Sequence, residues 1–267
     1  MVESPMHRKP TTLAHRVVLA AAGFAAVLAL LSSPAARAAE EAQHVDWSSW
    51  KAGNEPTDKA SLQRGAANFT NYCLGCHSLK YLRYERMAKD LDISQEMLRK
   101  NLIPTGAKPT DYILSSFPAA DGETWFGRSP PDLSLITRSK GSDYVYQFLK
   151  TFYVDESKPT KSNNLALAGA AMPAVLSDLE GVKRVVFAPD APGEEGKVVE
   201  RFVQVSPGQL TPEQYDSFVR DTVNFLQYAG EPTQVEREGM GIWVVLFLLV
   251  FTWFAWLLKR EYWKDVH

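Results

Sequence analysis

The run Tyr72-Cys73-Leu74-Gly75-Cys76-His77 constrains this chain more than any other stretch. Cys73 and Cys76 are the only two cysteines in 267 residues, and a histidine follows the second directly. Two thiols three positions apart, with an imidazole next to them, have the spacing of covalent haem attachment. The sulfurs reach the two vinyl groups of one porphyrin and the imidazole reaches its iron. Other uses of such a pair fit less well. Tetrahedral zinc needs two further ligands, and no other Cys exists to supply them. A redox dithiol of the thioredoxin kind opens a helix in a βαβ unit, whereas this pair follows a helical segment. A single haem c then asks for a second axial ligand, a dry pocket, a compartment and an electron partner.

The two ends of the chain name the compartment. His7, Arg8, Lys9, His15 and Arg16 form a basic start, Val17 to Leu31 is an uncharged apolar run, and Ala36-Arg37-Ala38 has the small-x-small cleavage pattern. Residues 1–38 therefore read as a secretory signal peptide of bacterial type, with 39–239 the exported domain. Near the other end, Met240 to Leu258 is free of charge. Nineteen residues at 1.5 Å each give roughly 28 Å, about one hydrocarbon core. Trp243, Trp256 and Trp263 suit the two interfaces, and Lys259, Arg260 and Lys264 follow. The positive-inside rule puts residues 259–267 in the cytoplasm. The expectation is a bacterial inner (plasma) membrane protein that crosses the lipid bilayer once at 240–258, with its haem domain in the periplasm.

Charge excludes one class of partner. Without its two ends the chain keeps 22 Lys and Arg against 28 Asp and Glu, a net charge of about −6. That disfavours nucleic acid; it suits a basic docking partner, and equally ordinary solubility.

Helical signals dominate the exported part. Leu62, Ala66, Phe69 and Cys73 make one stripe over Asp58–Tyr72, and Gly65 within it permits a close crossing. Short helices are expected at Tyr84–Asp90 and Ser94–Leu102. Ser142 opens another, with Val145, Phe148, Leu149 and Phe152 on one face. Thr211, Pro212 and Gln214 form a capping box before the longest soluble stripe, Tyr215 to Ala229, which Gly230 and Pro232 end. That helix is the natural partner of Asp58–Tyr72. Tyr112–Gly127 reads as loop, its Phe117, Trp125 and Phe126 either walling a haem or filling a core. Residues 155–181 show no obvious element. Val182–Ala188 and Lys197–Val205 read as a surface β-hairpin around an acidic loop. The fold class expected is mainly α: a cytochrome c-type haem domain with long loops, a small β-hairpin insertion and one C-terminal transmembrane helix.

The second axial ligand follows by elimination. His7 and His15 leave with the signal, and His267 lies beyond the membrane, so His44 is the histidine that competes. Met87 and Met97 fall on short helices, where Met usually fills core. Met240 starts the span. Met172, between Ala171 and Pro173 in a loop of small residues, is the leading candidate. Thioether ligation favours ferrous iron and raises the potential. Two filled axial sites leave outer-sphere electron transfer.

Several stretches together resemble the cytochrome c1 family, the haem subunits of the ubiquinol–cytochrome c reductase (cytochrome bc1) complex. They are Tyr72–His77 with Ser78-Leu79, Pro130-Pro131-Asp132-Leu133-Ser134 with Asp143-Tyr144-Val145, Met172-Pro173, Asn224–Pro232 and the tail helix. The resemblance covers most of residues 45–260. It implies haem on Cys73 and Cys76, axial ligands His77 and Met172, and Arg128 beside a haem propionate, where an ordinary surface Arg is the plain alternative. It implies electron transfer from a Rieske iron–sulfur protein to cytochrome c, packing against cytochrome b, and no catalysis by the chain alone. Family members with an extra disulfide exist; this chain has no spare Cys. Three rivals share some features: a tethered monohaem cytochrome feeding a terminal oxidase, a peroxidase with an open iron site, and a structural scaffold.

Overall fold

The computed structural model describes residues 45–103, 106–188 and 198–265. The expected signal peptide, His44, His267 and the acidic hairpin loop lie outside the described residues.

The core forms where helix Lys59–Tyr72 crosses helix Pro212–Gly230. The Asp58 carboxylate caps the first, accepting the Ser61 N–H at 3.1 Å. Thr211 and Gln214 cap the second reciprocally, at 3.3 and 2.9 Å. Gly65 is the point of closest approach. A Cβ there would stand 2.1 Å from the Asp221 carbonyl oxygen and 2.6 Å from the Phe225 Cβ. Leu62, Ala66 and Phe69 bury in one cluster with Val219, Val223, Phe225 and Leu226. Burying each large side chain stabilises by roughly 1.5–3 kcal/mol. Polar contacts set the register of the crossing. Arg64 donates to both Asp221 oxygens at 2.6 and 2.8 Å, and Asn224 Nδ2 donates to Ser61 Oγ at 3.0 Å.

Helix Ser142–Lys150 packs on the same long helix through a polar network. Asp216 accepts from Lys150, from the Tyr146 hydroxyl, and from Arg220 Nε at 2.6 Å. Burial works against its ionisation, but those hydrogen bonds and the Lys150 charge outweigh it and hold the carboxyl at about 2. Because this pKa is depressed on folding, the stabilisation is complete above the unfolded value near 3.9 and disappears as pH falls through about 2. The expected result for Asp216→Asn is a lower Tm at neutral pH. Thermal melts on both chains should converge as pH drops from about 4 to about 2; a constant gap across that range would rule the carboxylate out as the cause.

The structure corrects the sequence reading in four places. Tyr112–Ile113, expected as loop, is a strand, paired antiparallel with Leu79–Arg83, for which no element was expected. The Lys, Tyr and Arg side chains of Leu79–Arg83 hid the alternation, and its partner lies some thirty residues away. Ala119–Phe126, expected as loop, is a helix, closed by Gly127 at φ +74°. Only Gly122 of it is buried, so it has no apolar stripe to read. Phe152, placed on the Ser142 helix by spacing, begins a strand instead: the helix ends at Lys150, and Phe152–Val154 pairs with Ser162–Asn164. Ser177–Glu180, in a stretch expected to hold no element, is a short helix.

The hairpin is Gly181–Phe187 with Val199–Pro207, and much of its second strand is exposed. Lys183 roots it. This buried ammonium donates to the Lys150 carbonyl at 2.6 Å and to Glu180, and lies 4.9 Å over the Phe202 ring. The chain ends in a 29-residue helix, Gln234–Tyr262, that encloses the expected span. It contains a window of mean hydropathy 2.4, and none of its residues is buried by the rest of the chain. An exposed apolar helix of this length is suited to crossing a lipid bilayer.

Candidate haem site

Helix Lys59–Tyr72 delivers Cys73 as its C-cap, the Cys73 N–H still bonded to the Phe69 carbonyl at 2.9 Å. The chain then closes one turn. The N–H groups of Cys76 and His77 reach the Cys73 carbonyl at 3.0 and 2.8 Å. Both thiols and the imidazole therefore sit on a single turn, with Cys76 exposed and Cys73 and His77 half-buried. Burial, with a smaller contribution from Cys76, pushes the Cys73 thiol up to about 12.

The state of His77 is set from far along the chain. Its Nδ1 lies 2.7 Å from the Pro131 carbonyl oxygen. A carbonyl only accepts, so Nδ1 carries the proton and Nε2 keeps its lone pair. Burial lowers the imidazole pKa, against smaller opposing effects of Pro131 and Asp132. The ring is thus neutral, oriented and basic at Nε2, which is what a haem iron requires of its first axial ligand.

The segment that supplies Pro131 is stitched to the residues after His77. Leu133 N–H donates to the Ser78 carbonyl at 2.9 Å, and Lys80 N–H donates to Asp132 Oδ2 at 2.9 Å. Ser115 closes the other side, with its N–H to Ser78 Oγ at 2.8 Å and its hydroxyl to the Gly75 carbonyl at 3.0 Å. Between them, beside Cys76, lies a cavity of about 260 Å³ walled by Leu114, Phe117 and Pro130. Ser78, Lys80, Ser115, Ser129 and Asp132 complete a lining that is largely polar, with the Cys76 thiol at its edge. A larger open groove of about 500 Å³ beside Arg64 and Phe218 has neither thiol nor imidazole in its lining.

The other predicted residues are placed as follows. Met172 is half-buried and packs on the same core as Cys73 and Leu133. Met87 is fully buried within that core, and Met97 stands exposed on its short helix. Arg128 is exposed, next to the Ser129–Pro130 wall, and its side chain has no partner among the described residues. Phe117, Trp125 and Phe126 do not fill the core. They cluster with one another, Phe117 lying 5.6 Å from Trp125 and 6.3 Å from Phe126, and Trp125 is 64% exposed. Sequence reasoning missed the parts played by Ser78, Ser115 and Asp132. They satisfy main-chain groups, and the only written signal is a polar residue beside the motif.

A model described as the Cytochrome C1 family matches residues 47–266. The chain belongs to that family. It is 46% identical to cytochrome c1 of Allochromatium vinosum, over 91% of this chain and 98% of the relative. It is 42% identical to a Nitrosomonas europaea protein named ammonia monooxygenase gamma subunit, over 81% of this chain and 88% of that one. A chain of a hyperthermophilic respiratory Complex III aligns with 96% of this chain and 100% of its own, at 17% identity and a TM-score of 0.39. As a cytochrome c1 family member, the chain carries a covalently bound haem c and is an electron-transfer subunit of the bc1 complex, not catalytic on its own. Its tail helix is a single-pass membrane anchor.

Proposed function

We propose that this chain takes electrons from a Rieske iron–sulfur protein and passes them to a cytochrome c, through one haem held by Cys73, Cys76, His77 and Met172. The observation that carries the reading is the 2.7 Å contact between His77 Nδ1 and the Pro131 carbonyl, which leaves Nε2 bare one residue after the second thiol. The haem supplies a one-electron Fe(III)/Fe(II) couple. The chain's own residues tether it and orient the axial imidazole. Met172 fills the sixth position, which supports outer-sphere transfer over oxygen or peroxide chemistry. Arg128, an exposed cation without a partner among the described residues, pairs with a propionate.

The same reading assigns residues 1–38 to a cleaved signal, 39–239 to the periplasm, 240–258 to the bilayer beside cytochrome b, and 259–267 to the cytoplasm. Lys259 and Arg260 lie 5.6 and 5.1 Å over the rings of Trp263 and Trp256, a pairing suited to the headgroup layer.

Intact-mass measurement and quinol-driven cytochrome c reduction on the purified complex test the proposal. Cys73→Ala with Cys76→Ala is expected to remove the covalent haem mass and reduce electron flow by about 10² or more, since the only carrier on this chain is lost. Electron flow that survives in the double variant would leave only a scaffold role.

A further inference from the structure

We propose that Asp132 is a positioning residue for electron transfer: its carboxylate fixes the Pro131 carbonyl against His77 and so sets the donor strength of the axial imidazole. The inference rests on His77 being the iron ligand. Asp132 Oδ2 accepts the Lys80 N–H at 2.9 Å and Oδ1 accepts the Ser134 N–H at 3.0 Å. One side chain thus joins the segment that carries the Pro131 carbonyl to the strand that begins two residues after His77. The Ser134 bond closes a turn within the segment of Pro131, and the Lys80 bond crosses from that segment to the strand that follows His77. Two further bonds run parallel to it. Leu133 N–H reaches the Ser78 carbonyl at 2.9 Å and Tyr81 N–H reaches the Ser134 hydroxyl at 3.3 Å. The first engages the main chain of Leu133 and the second the side chain of Ser134, and neither bears on the residue next to the Pro131 carbonyl as directly as Asp132 does.

The consequence follows from how an imidazole donates. A short bond from Nδ1–H to a fixed acceptor pushes electron density toward Nε2 and favours ferric iron. Loosening the acceptor weakens that push and favours ferrous iron. A carboxylate does more here than any neutral side chain of its size, because its two oxygens hold two main-chain N–H groups at once and its hydrogen bonds are charge-assisted.

The test compares Asp132→Asn and Asp132→Ala in the full-length, haem-loaded chain within the complex. Asn keeps one carbonyl oxygen as acceptor; Ala keeps none. Redox titration is expected to give a potential that rises from wild type to Asn to Ala. The Ala shift should reach at least tenfold in the Fe(III)/Fe(II) equilibrium constant, or 59 mV for one electron. Proton NMR of the reduced protein should show the His77 Nδ1–H resonance moving in the same order. Equal shifts in Asn and Ala would mean that only the lost charge acts, and the positioning role would be overturned. A lower Tm with unchanged potential and resonance would make Asp132 a loop clamp and overturn it too. His77→Ala separates this idea from the one beneath it. If that variant keeps the wild-type visible spectrum, the ligand assignment itself is wrong; if its spectrum changes while the Asp132 series stays flat, only the positioning role fails.

Discussion

Met172→Leu is expected to erase the sulfur–iron charge-transfer band of the oxidised protein and to lower its potential by roughly 0.1–0.3 V, within the ~0.8 V that axial ligands span. Leucine nearly matches methionine in volume, so the half-buried side chain keeps its packing against the core that also holds Cys73 and Leu133. The change therefore removes the thioether and little else. Without that soft donor, ferric iron is no longer disfavoured. The vacated position opens to water or to small ligands such as carbon monoxide. Electron delivery from the Rieske protein should slow as the driving force shrinks. A variant that retains both its band and its potential would show that a methionine other than Met172 occupies the sixth site.

Gly65→Ala is expected to destabilise the chain by about 2–3 kcal/mol or more, although alanine is the better helix former by about 1 kcal/mol. The sign is decided by contact. The new Cβ meets the Asp221 carbonyl oxygen at 2.1 Å, and a main-chain atom in a helix cannot swing aside. Relief requires the two helices to part, which opens the Phe69–Phe225 contact, now 5.9 Å between ring centroids, and strains the Arg64–Asp221 pair. Parting also moves Cys73, the residue that ends the first helix. Chemical denaturation would read the loss, and haem-attachment yield should fall with it. Gly239→Ala is the control, because nothing lies within 4 Å of a Cβ added there. If Gly65→Ala were as harmless as Gly239→Ala, the crossing would not be as close as described.

What was legible in the sequence is local. The capping box at Thr211 needs only four residues, and it forms as written. The stripes of the two crossing helices report which face is apolar, and those faces meet. Elements without a stripe were missed. Helix Ala119–Phe126 buries little, and strand Leu79–Arg83 is defined by a partner that begins at Tyr112. The aromatic trio at Phe117, Trp125 and Phe126 is ambiguous in a string of letters, because rings in a core and rings beside a cofactor are spelled alike.

The amino-acid order by itself determined that two sulfurs and an imidazole share one turn, and that one segment is too apolar for water. Both properties are settled within a few to about twenty consecutive residues, by covalent spacing and by transfer free energy. Only the tertiary structure decided which nitrogen of His77 carries the proton, because the deciding carbonyl belongs to Pro131, 54 positions away. It likewise turned Gly65 from a weak helix residue into the contact point of the core, since a missing side chain matters only where another backbone comes close enough to need the space.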